Sequence, residues 1–269
     1  MSGTLPRIGL GTWKHTGDDA VEAVSTAAEL GYRHIDTAQM YENEATVGEG
    51  IAAAEVPREE ITVATKIHHR SLPAASHDEV VEAVQTSLNR LGLETLDLLY
   101  LHWPLGNYDP EETLGAFDEL YDAGIISNIG VCNCTPELLD EARKSLNAPL
   151  FAHQVEMHPL LQQEELRTYA QKHDHNLVAY SPLAHGDIFE VPELRSIAKK
   201  HDISEAQVSL AWLTNYENVA AVPKATGEAH LRENLEAQSI ELDEEDLSII
   251  EGIDQHTRVV DPDIAPWNQ

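Results

Sequence analysis

The sequence predicts a single-domain α/β protein, a closed (β/α)8 barrel, and three observations support this prediction. Strand-like apolar runs alternate with amphipathic, helix-like segments along the whole chain, and such alternation is typical of parallel strands. Eight strand–helix units fit within 269 residues, which is the size of a barrel of this kind. Polar residues also follow several of the strands, where such barrels place their chemistry.

The individual elements follow from apolar spacing and from stop signals. Residues 18–30 have a helical apolar pattern that ends at Gly31, and Gly124 likewise ends the helix predicted at 110–123. Ser76 and Glu79 have the spacing of a capping box, so a helix is predicted to start there. The other predicted elements are strands at 8–11, 32–36, 61–66, 96–102, 125–131, 151–156, 177–180 and 219–222, and helices at 43–54, 135–145, 164–173, 191–201, 204–215, 227–238 and 243–252.

A doubly wound open sheet is the alternative fold. It would be expected to carry Gly-x-Gly-x-x-Gly between a strand and a helix. The nearest match is Gly9-Leu10-Gly11-Thr12-Trp13, which fails at the third glycine. No linker, low-complexity tract or sharp composition change divides residues 1–269, so one domain over the whole chain is expected.

The composition predicts a soluble, cytoplasmic protein. Hydrophobic residues make up 42% of the chain, enough for a sizeable core. No apolar run reaches the ~18 residues that suggest a membrane span, and the N-terminus lacks a signal-peptide apolar region.

The charge is strongly negative and dispersed. Lys and Arg number 17 against 47 Asp and Glu, which gives a net charge of −30. Nucleic acid and anionic membranes would be repelled by such a surface. Since the acids form short clusters, mostly at helix starts, we expect a halophilic style of surface whose repulsion is screened by salt. An acidic patch for a basic partner is the alternative.

The two cysteines, Cys132 and Cys134, are separated by one residue. In an extended strand they would point to the same face. A metal or redox pair is one interpretation, but the chain has no further cysteine to complete a thiolate site. Two reduced, packed thiols are therefore expected, and no metal site is predicted.

Four polar residues mark the candidate active site. Asp36, Lys66 and His102 each close a strand-like run, and Tyr41 follows Asp36 after a short loop. Because the carboxyl ends of barrel strands meet at one face, we expect these four side chains to lie together. Lys66 is already unusual in an apolar strand, since lysine is rarely buried without a partner.

These residues belong to a longer ordered set of motifs that resembles the aldo-keto reductases. The resemblance covers essentially the whole chain. Within the family, the sequence is similar to the short bacterial or archaeal members, such as the diketogluconate and methylglyoxal reductases. The fragments, in order, are Gly31-Tyr32-Arg33-His34-Ile35-Asp36-Thr37-Ala38, Tyr41-x-Asn43-Glu44-x-x-Val47-Gly48, Lys66, residues 98–104, Gly130-Val131-x-Asn133, Gln154-Val155-Glu156-x-His158-Pro159, Ala179-Tyr180-Ser181-Pro182-Leu183, Pro223-Lys224-x-Thr226 and Arg232-Glu233-Asn234.

The resemblance implies an NAD(P)-dependent barrel that reduces aldehydes and ketones to alcohols with a tetrad of Asp36, Tyr41, Lys66 and His102. Tyr41 would donate the proton, although a free tyrosine has a pKa near ~10 and is a poor acid at neutrality. Lys66 would lower that pKa, Asp36 would hold Lys66, and His102 would orient the carbonyl.

The resemblance also implies a nicotinamide cofactor site, with NADPH expected and NADH as the alternative. Asn133, Gln154 and Cys132 would meet the carboxamide and Tyr180 would stack on the ring. Three family positions differ here: Cys132 replaces a serine, Ala225 a serine or threonine, and His230 an arginine near the 2′-phosphate. The remaining cofactor residues implied are Gly11, Thr12, Trp13, Ser181, Leu183, Lys224, Thr226, His230, Glu233 and Asn234.

The resemblance places Trp13, His68 and Trp103 at the substrate mouth, with His68 replacing the usual family aromatic. The loop after strand four and the tail at 255–269 are short, which suggests an open pocket for small or polar carbonyls. A small-molecule substrate and a monomer or weak oligomer are expected.

Two other classes of protein remain open on the residues alone. A metal-dependent barrel hydrolase could use some of the 14 histidines, but His173-x-His175 precedes the seventh strand and so lies at the opposite face. A non-catalytic barrel that senses a cofactor and regulates a partner is the second, and an intact tetrad argues against it.

Overall fold

The computed structural model describes residues 4–68, 72 and 74–269, and its centre is one sheet of eight parallel strands in sequential order. Backbone bonds from Gly9 N to Ala221 O (2.8 Å) and from Gly11 N to Pro223 O (3.0 Å) join the last strand to the first. The sheet therefore closes into a barrel. Its strands are β1 (Leu10–Gly11), β2 (His34–Asp36), β3 (Thr62–Ile67), β4 (Leu98–Leu101), β5 (Ile129–Cys132), β6 (Leu150–Glu156), β7 (Asn176–Tyr180) and β8 (Val219–Ala221).

The helices surround the barrel and follow the capping signals in the sequence. Ser76 and Glu79 form the expected capping box, and Gly31 ends the first helix with φ 112°. The helices are α1 (Gly17–Leu30), α2 (Glu44–Ala53), α3 (His77–Leu91), α4 (Pro110–Asp122), α5 (Pro136–Ser145), α6 (Glu164–His173), α7 (Pro192–His201), α8 (Glu205–Thr214), α9 (Glu228–Glu236) and α10 (Glu244–Glu251).

The largest boundary difference is at the fifth strand, which was predicted from residue 125 but begins at Ile129. Leu96 and Ile126 make an isolated bridge, with backbone bonds from Leu96 N to Ile125 O and from Ser127 N to Leu96 O, both at 2.9 Å. Asp97 Oδ2 accepts a hydrogen bond from Val63 N at 2.8 Å, and Asn128 Nδ2 donates to Asp97 O at 2.9 Å. The Asp97 carboxylate thus bonds to β3, whereas the stretch before Ile129 is joined to the fourth strand by separate bonds and not by a regular ladder.

The interior of the barrel is a packed core and not a channel. Ala64, Leu98 and Tyr100 point inward with Cys132, Ala152 and Val178. Gly130 makes room for the Tyr100 ring, because a Cβ at this position would lie 2.4 Å from that ring. A filled interior confines any ligand to the rim at the strand ends.

The prediction of a single-domain (β/α)8 barrel is confirmed. Gly11 shows how tightly β1 and β8 approach at the closure, since a Cβ there would lie 2.5 Å from Val222 O. Within the described ranges, no helix combines the length and the apolar character that crossing a membrane would require.

Several histidines lie inside this fold as neutral groups. Burial lowers the pKa of His34 to about 4 and that of His153 to about 3. His153 Nε2 accepts a hydrogen bond from Cys134 N at 3.2 Å, which it can do only when that nitrogen carries no proton. His175, whose pKa burial lowers to about 4, lies 6.4 Å from His153 between ring centroids.

We predict that stability falls as the pH drops from about 6.5 towards 4, the window between the unfolded and folded pKa values of these histidines. In that window the unfolded chain binds protons that the folded chain excludes, so each such group costs roughly 3 kcal/mol by the acid end. Unfolding free energies measured by urea titration across this range should show a steep slope.

The variant His153→Gln retains an acceptor for Cys134 N but does not titrate, so we expect its pH slope to be shallower by about one proton. His256→Gln, at an exposed position, serves as the control and should leave the slope unchanged. An undiminished slope in His153→Gln would contradict the assignment.

Candidate active site

A cavity of about 450 Å³ opens at the carboxyl ends of the strands. It gathers most of the residues that were predicted for the site, from seven strand ends or the loops after them. The predicted residues that line it are Gly11, Thr12, Trp13, Asp36, Tyr41, His102, Trp103, Cys132, Asn133, Gln154, Tyr180, Ser181, Leu183 and Lys224.

Lys66 and Asp36 form a buried ion pair beneath this cavity. Lys66 Nζ donates to Asp36 Oδ1 and to Thr37 O, the latter at 2.8 Å, and the Lys66 side chain is 1% exposed. The parallel register of β2 and β3 sets this pairing by aligning Asp36 with Ala64. Burial alone would lower the pKa of Lys66, but Asp36 and Tyr41 raise it more, so the ammonium is retained.

Gln154, near the carboxyl end of β6, donates to the second carboxylate oxygen of the same aspartate. Its Nε2 donates to Asp36 Oδ2 at 2.7 Å. Asp36 is therefore held between an ammonium from β3 and an amide from across the barrel. The predicted cofactor residue Gln154 and the predicted tetrad are thus parts of one hydrogen-bonded network.

Tyr41 ends a short 3-10 turn (Gln39–Tyr41) whose position is fixed by Asn43. Asn43 Nδ2 donates to Thr12 O at 2.8 Å and to His15 O at 3.1 Å, while Asn43 Oδ1 accepts from Thr37 Oγ1 at 2.9 Å. This amide joins the loops after β1 and β2. The Tyr41-x-Asn43 spacing therefore has a structural reason, since the asparagine locks the turn that presents the tyrosine.

The electrostatic setting of Tyr41 differs from the expectation of a lowered pKa. Burial raises the pKa of Tyr41 above its usual value, and Lys66, whose Nζ lies 5.2 Å from the Tyr41 ring centroid, acts in the opposite direction. The net direction is upward because desolvation of the phenolate outweighs the nearby ammonium. The hydroxyl therefore keeps its proton at neutral pH, as a proton donor must.

His102 faces Tyr41 across the cavity floor. The two rings meet edge to face with centroids 5.8 Å apart, and His102 N bonds to Ile67 O at 2.9 Å. His68, expected at the substrate mouth, is 4% exposed and packs its ring 5.4 Å from that of His102. Its place after β3 directs it against His102, so it supports the tetrad rather than lining the cavity.

Asn133 connects the tetrad to the predicted nicotinamide side of the cavity. Its Nδ2 donates to His102 O at 3.0 Å, and its Oδ1 accepts from Tyr180 Oη at 2.8 Å. The residue has φ 59°, in the left-handed region that asparagine tolerates. One amide thus fixes a histidine on one side and an aromatic ring on the other.

The same backbone turn at Asn133 corrects the expectation that the two cysteines share a face. Cys132 lies in the barrel interior and lines the cavity, whereas Cys134 packs in the outer core between strands and helices. Both are free and buried. Burial raises the pKa of each thiol, which fits two packed, reduced residues.

Trp13 closes one side of the cavity by a contact that the sequence did not predict. Its ring stacks on that of His185 at 5.7 Å between centroids, and Lys14 Nζ lies 4.3 Å from the Trp13 ring centroid. Ser181 and His185 both have positive φ values, and Ser181 Oγ lies 3.2 Å from His185 Nε2. This loop after β7 therefore folds back towards the loop after β1.

The predicted adenosine end lies on the loop after β8 and on α9. Lys224 Nζ donates to Thr226 Oγ1 at 2.8 Å, and His15 Nε2 lies 3.3 Å from the same hydroxyl. Burial and the charge of Lys224 lower the pKa of His15 to about 4. His15 was missed in the sequence because a histidine in a loop after β1 carries no distinguishing pattern.

The other predicted residues of this end, His230, Glu233 and Asn234, lie on α9 outside the lining of the cavity. His230 is exposed and Asn234 is buried. Several further lining residues were not among the predicted site residues, although Pro182 and Pro223 lie within the quoted motifs; most come from loops and from the chain's last segment. They are Met40, Pro182, His185, Gly186, Phe189, Val222, Pro223 and Val260.

A parallel barrel that buries a lysine–aspartate pair beside a tyrosine and a histidine at its strand ends has the site of a carbonyl-reducing oxidoreductase. The profile of the aldo/keto reductase family matches residues 7–255, and the chain belongs to this family. Members of the family generally use nicotinamide cofactors.

Named relatives agree with this assignment. Methylglyoxal reductase DkgB of Escherichia coli O157:H7 is 37% identical over 269 residues, covering 98% of this chain and 99% of the relative. Glyoxal reductase of Bacillus subtilis is 38% identical over 256 residues, covering 95% and 91%. The crystal structure of MGS-M4, an aldo-keto reductase from a Medee basin deep-sea metagenome library, superposes with a TM-score of 0.91 at 35% identity, covering 96% of this chain and 95% of that one.

We predict that Asp36→Asn destabilises the fold strongly, because it leaves the Lys66 ammonium buried without its counter-charge. Loss of one partner of a buried pair typically costs about 3–5 kcal/mol. Urea unfolding curves would measure the loss. Glu60→Gln is the control, because it removes only the exposed partner of Arg33 at 3.3 Å. This variant should lose less than about 1 kcal/mol of unfolding free energy. The prediction would be contradicted if Asp36→Asn lost no more than the control.

Proposed function

We propose that this protein reduces a small aldehyde or ketone with NADPH, and that Tyr41 supplies the proton to the carbonyl oxygen. The observation that carries this proposal is the joint placement of Tyr41, His102 and the Lys66–Asp36 pair around one cavity. Carbonyl reduction requires a proton donor at oxygen and a hydride donor at carbon, and this arrangement offers the first.

The residues present fit a nicotinamide cofactor, which supplies the hydride when bound. A carboxamide needs both donors and acceptors, and the amides of Asn133 and Gln154 line the cavity beside the Tyr180 ring. Phosphate groups need a cation, and Lys224 lines the same cavity. Polar amides at one end and a cation at the other support a dinucleotide lying across the strand ends.

The tetrad residues act in a defined order. Tyr41 donates its hydroxyl proton to the carbonyl oxygen, and the Lys66 ammonium stabilises the phenolate that remains. Asp36 keeps Lys66 in place and in its charged form through the bond to Nζ. His102, edge to face with Tyr41, orients the carbonyl towards the hydroxyl.

The relatives' names guide the substrate class. Methylglyoxal and glyoxal are small dicarbonyls, and a cavity of about 450 Å³ has room for one beside the tetrad. Trp13, Met40 and Phe189 are exposed hydrophobic residues at its rim. We infer that small carbonyls or dicarbonyls are reduced, and that the apolar rim also admits an apolar substituent.

The alternative functions considered from the sequence find no support in the comparisons. Within the described part of the chain, the group with metal-ligand spacing is His201, Asp243 and Asp246, away from the cavity. Lys200 Nζ already binds both aspartates, at 2.6 Å and 2.8 Å. Among the residues that the structure describes, no group of three metal-ligating side chains with this spacing lies at the strand ends.

We predict that Tyr41→Phe lowers kcat for carbonyl reduction by roughly 10²–10⁴-fold, the usual contribution of a positioned acid. Cofactor affinity, measured by quenching of protein fluorescence, should not change because the ring remains. Tyr121→Phe on α4, outside the cavity, is the control and should keep full activity. If Tyr41→Phe retains more than about a tenth of wild-type kcat, the proton-donor role is wrong.

We further predict that Lys224→Met weakens NADPH binding by roughly tenfold and leaves NADH binding unchanged, because one charge-assisted bond to the 2′-phosphate is lost. Titration of each cofactor by fluorescence measures this difference. Lys199→Met on α7 controls for the loss of one positive charge. Equal turnover of both cofactors by the wild type would rule out the proposed preference for NADPH.

A further inference from the structure

The last segment of the chain, residues 258–268, forms part of the cavity although the family profile ends at residue 255. Val260 lines the cavity together with His102 and Trp103. Trp267 of the same segment packs against Trp103, with the two ring centroids 5.6 Å apart. The segment therefore contributes to the side of the cavity that carries His102.

A single buried carboxylate fixes the start of this segment. Glu156, at the carboxyl end of β6, has a side chain that is 0% exposed. Its Oε1 accepts from Val259 N at 2.7 Å, and its Oε2 accepts from Val260 N at 2.8 Å. His158 Nε2 lies 3.0 Å from Oε1 and supplies a third partner.

The far end of the segment is held by its own side chains. Trp267 Nε1 donates to Asp261 Oδ1 at 2.8 Å, and Asn268 Nδ2 bonds to the same oxygen at 2.8 Å. The Arg258 guanidinium carbon lies 4.0 Å from the Trp267 ring centroid. The segment thus holds itself together, and its attachments to the barrel include Glu156 at its start and Trp103 at the cavity.

We propose that Glu156 is a positioning residue for substrate binding, which holds the 258–268 segment in place as a wall of the substrate side of the cavity. The barrel core does not require a carboxylate at this point, since a buried carboxylate is costly unless donors surround it. Here two of its three partners, the Val259 and Val260 amides, come from the segment itself. The carboxylate therefore specifies where the segment lies, and through Val260 and Trp103 it shapes the space beside His102.

This inference rests on the proposed carbonyl reduction, and Glu156→Gln tests it with little change in volume. The amide puts an NH2 donor in place of one acceptor oxygen, so the present arrangement, in which each Glu156 oxygen accepts from one of Val259 N and Val260 N, cannot be kept. We expect KM for a dicarbonyl such as methylglyoxal to rise by about tenfold, with kcat at saturation and the dissociation constant of the cofactor unchanged.

Hydrogen exchange supplies a readout that does not depend on activity. The amide protons of Val259 and Val260 should be protected in the wild type and should lose about tenfold or more of that protection in Glu156→Gln. Trp267→Ala removes a second attachment of the same segment, so its effect on KM should overlap with that of Glu156→Gln and the double variant should be less than additive.

Asp118→Asn is the matched control. Asp118 is also a buried carboxylate that accepts from two backbone amides, Asn147 N at 2.8 Å and Ala148 N at 2.9 Å. It lies on α4, away from the cavity. We expect this variant to lose stability while KM stays the same.

An unchanged KM in Glu156→Gln would overturn the inference. So would a rise in KM accompanied by equal losses in kcat and cofactor affinity, because Glu156 would then be a merely structural residue. A wild type that reduces no carbonyl would overturn the proposed function instead. Loss of amide protection at 259–260 in Glu156→Gln alone would still establish the anchor in that case.

Discussion

The buried pair of Lys66 and Asp36 is the interaction on which the rest of the site depends. A lysine that is 1% exposed on its side chain is tolerated only because Asp36 and the Thr37 carbonyl surround its ammonium. Asp36 in turn needs the Gln154 amide on its other oxygen. The pair therefore requires side chains from β2, β3 and β6 to meet inside the sheet. A closed barrel brings these strands around one interior, whereas an open sheet would keep β6 far from β2.

The fold could be predicted almost completely, because its signals are local. Ser76 and Glu79 mark a helix start by spacing alone, and Gly31 marks a helix end by its left-handed backbone. The tetrad could also be placed from the sequence, since strand ends meet at one face whatever the loops do. The prediction was poorest where a residue's direction depends on its neighbours: His68 turned towards His102, and Asn133 separated two cysteines that alternation would place together.

The loops explain most of what was missed. His185, Phe189 and Val260 line the cavity only because the segments that carry them fold back over the strand ends. No periodicity marks such residues, and their contacts join positions far apart in sequence, such as Trp13 with His185. The acidic surface is the opposite case: the charge of −30 is certain from the sequence, but the halophilic adaptation that it suggests stays a prediction.

Asp36 and Glu156 solve the same physical problem at two places on the rim. Each is a buried carboxylate at a strand end whose two oxygens are taken by donors from different parts of the chain. One set of donors includes Lys66 of the proposed tetrad, and the other belongs to a segment beyond the family profile. If related barrels keep one reaction while their substrates vary, the carboxylate at the position of Asp36 must keep the same partners. The carboxylate at the position of Glu156 can instead hold a different segment in each protein. The division of labour between the two carboxylates would then separate catalysis from selectivity within one cavity.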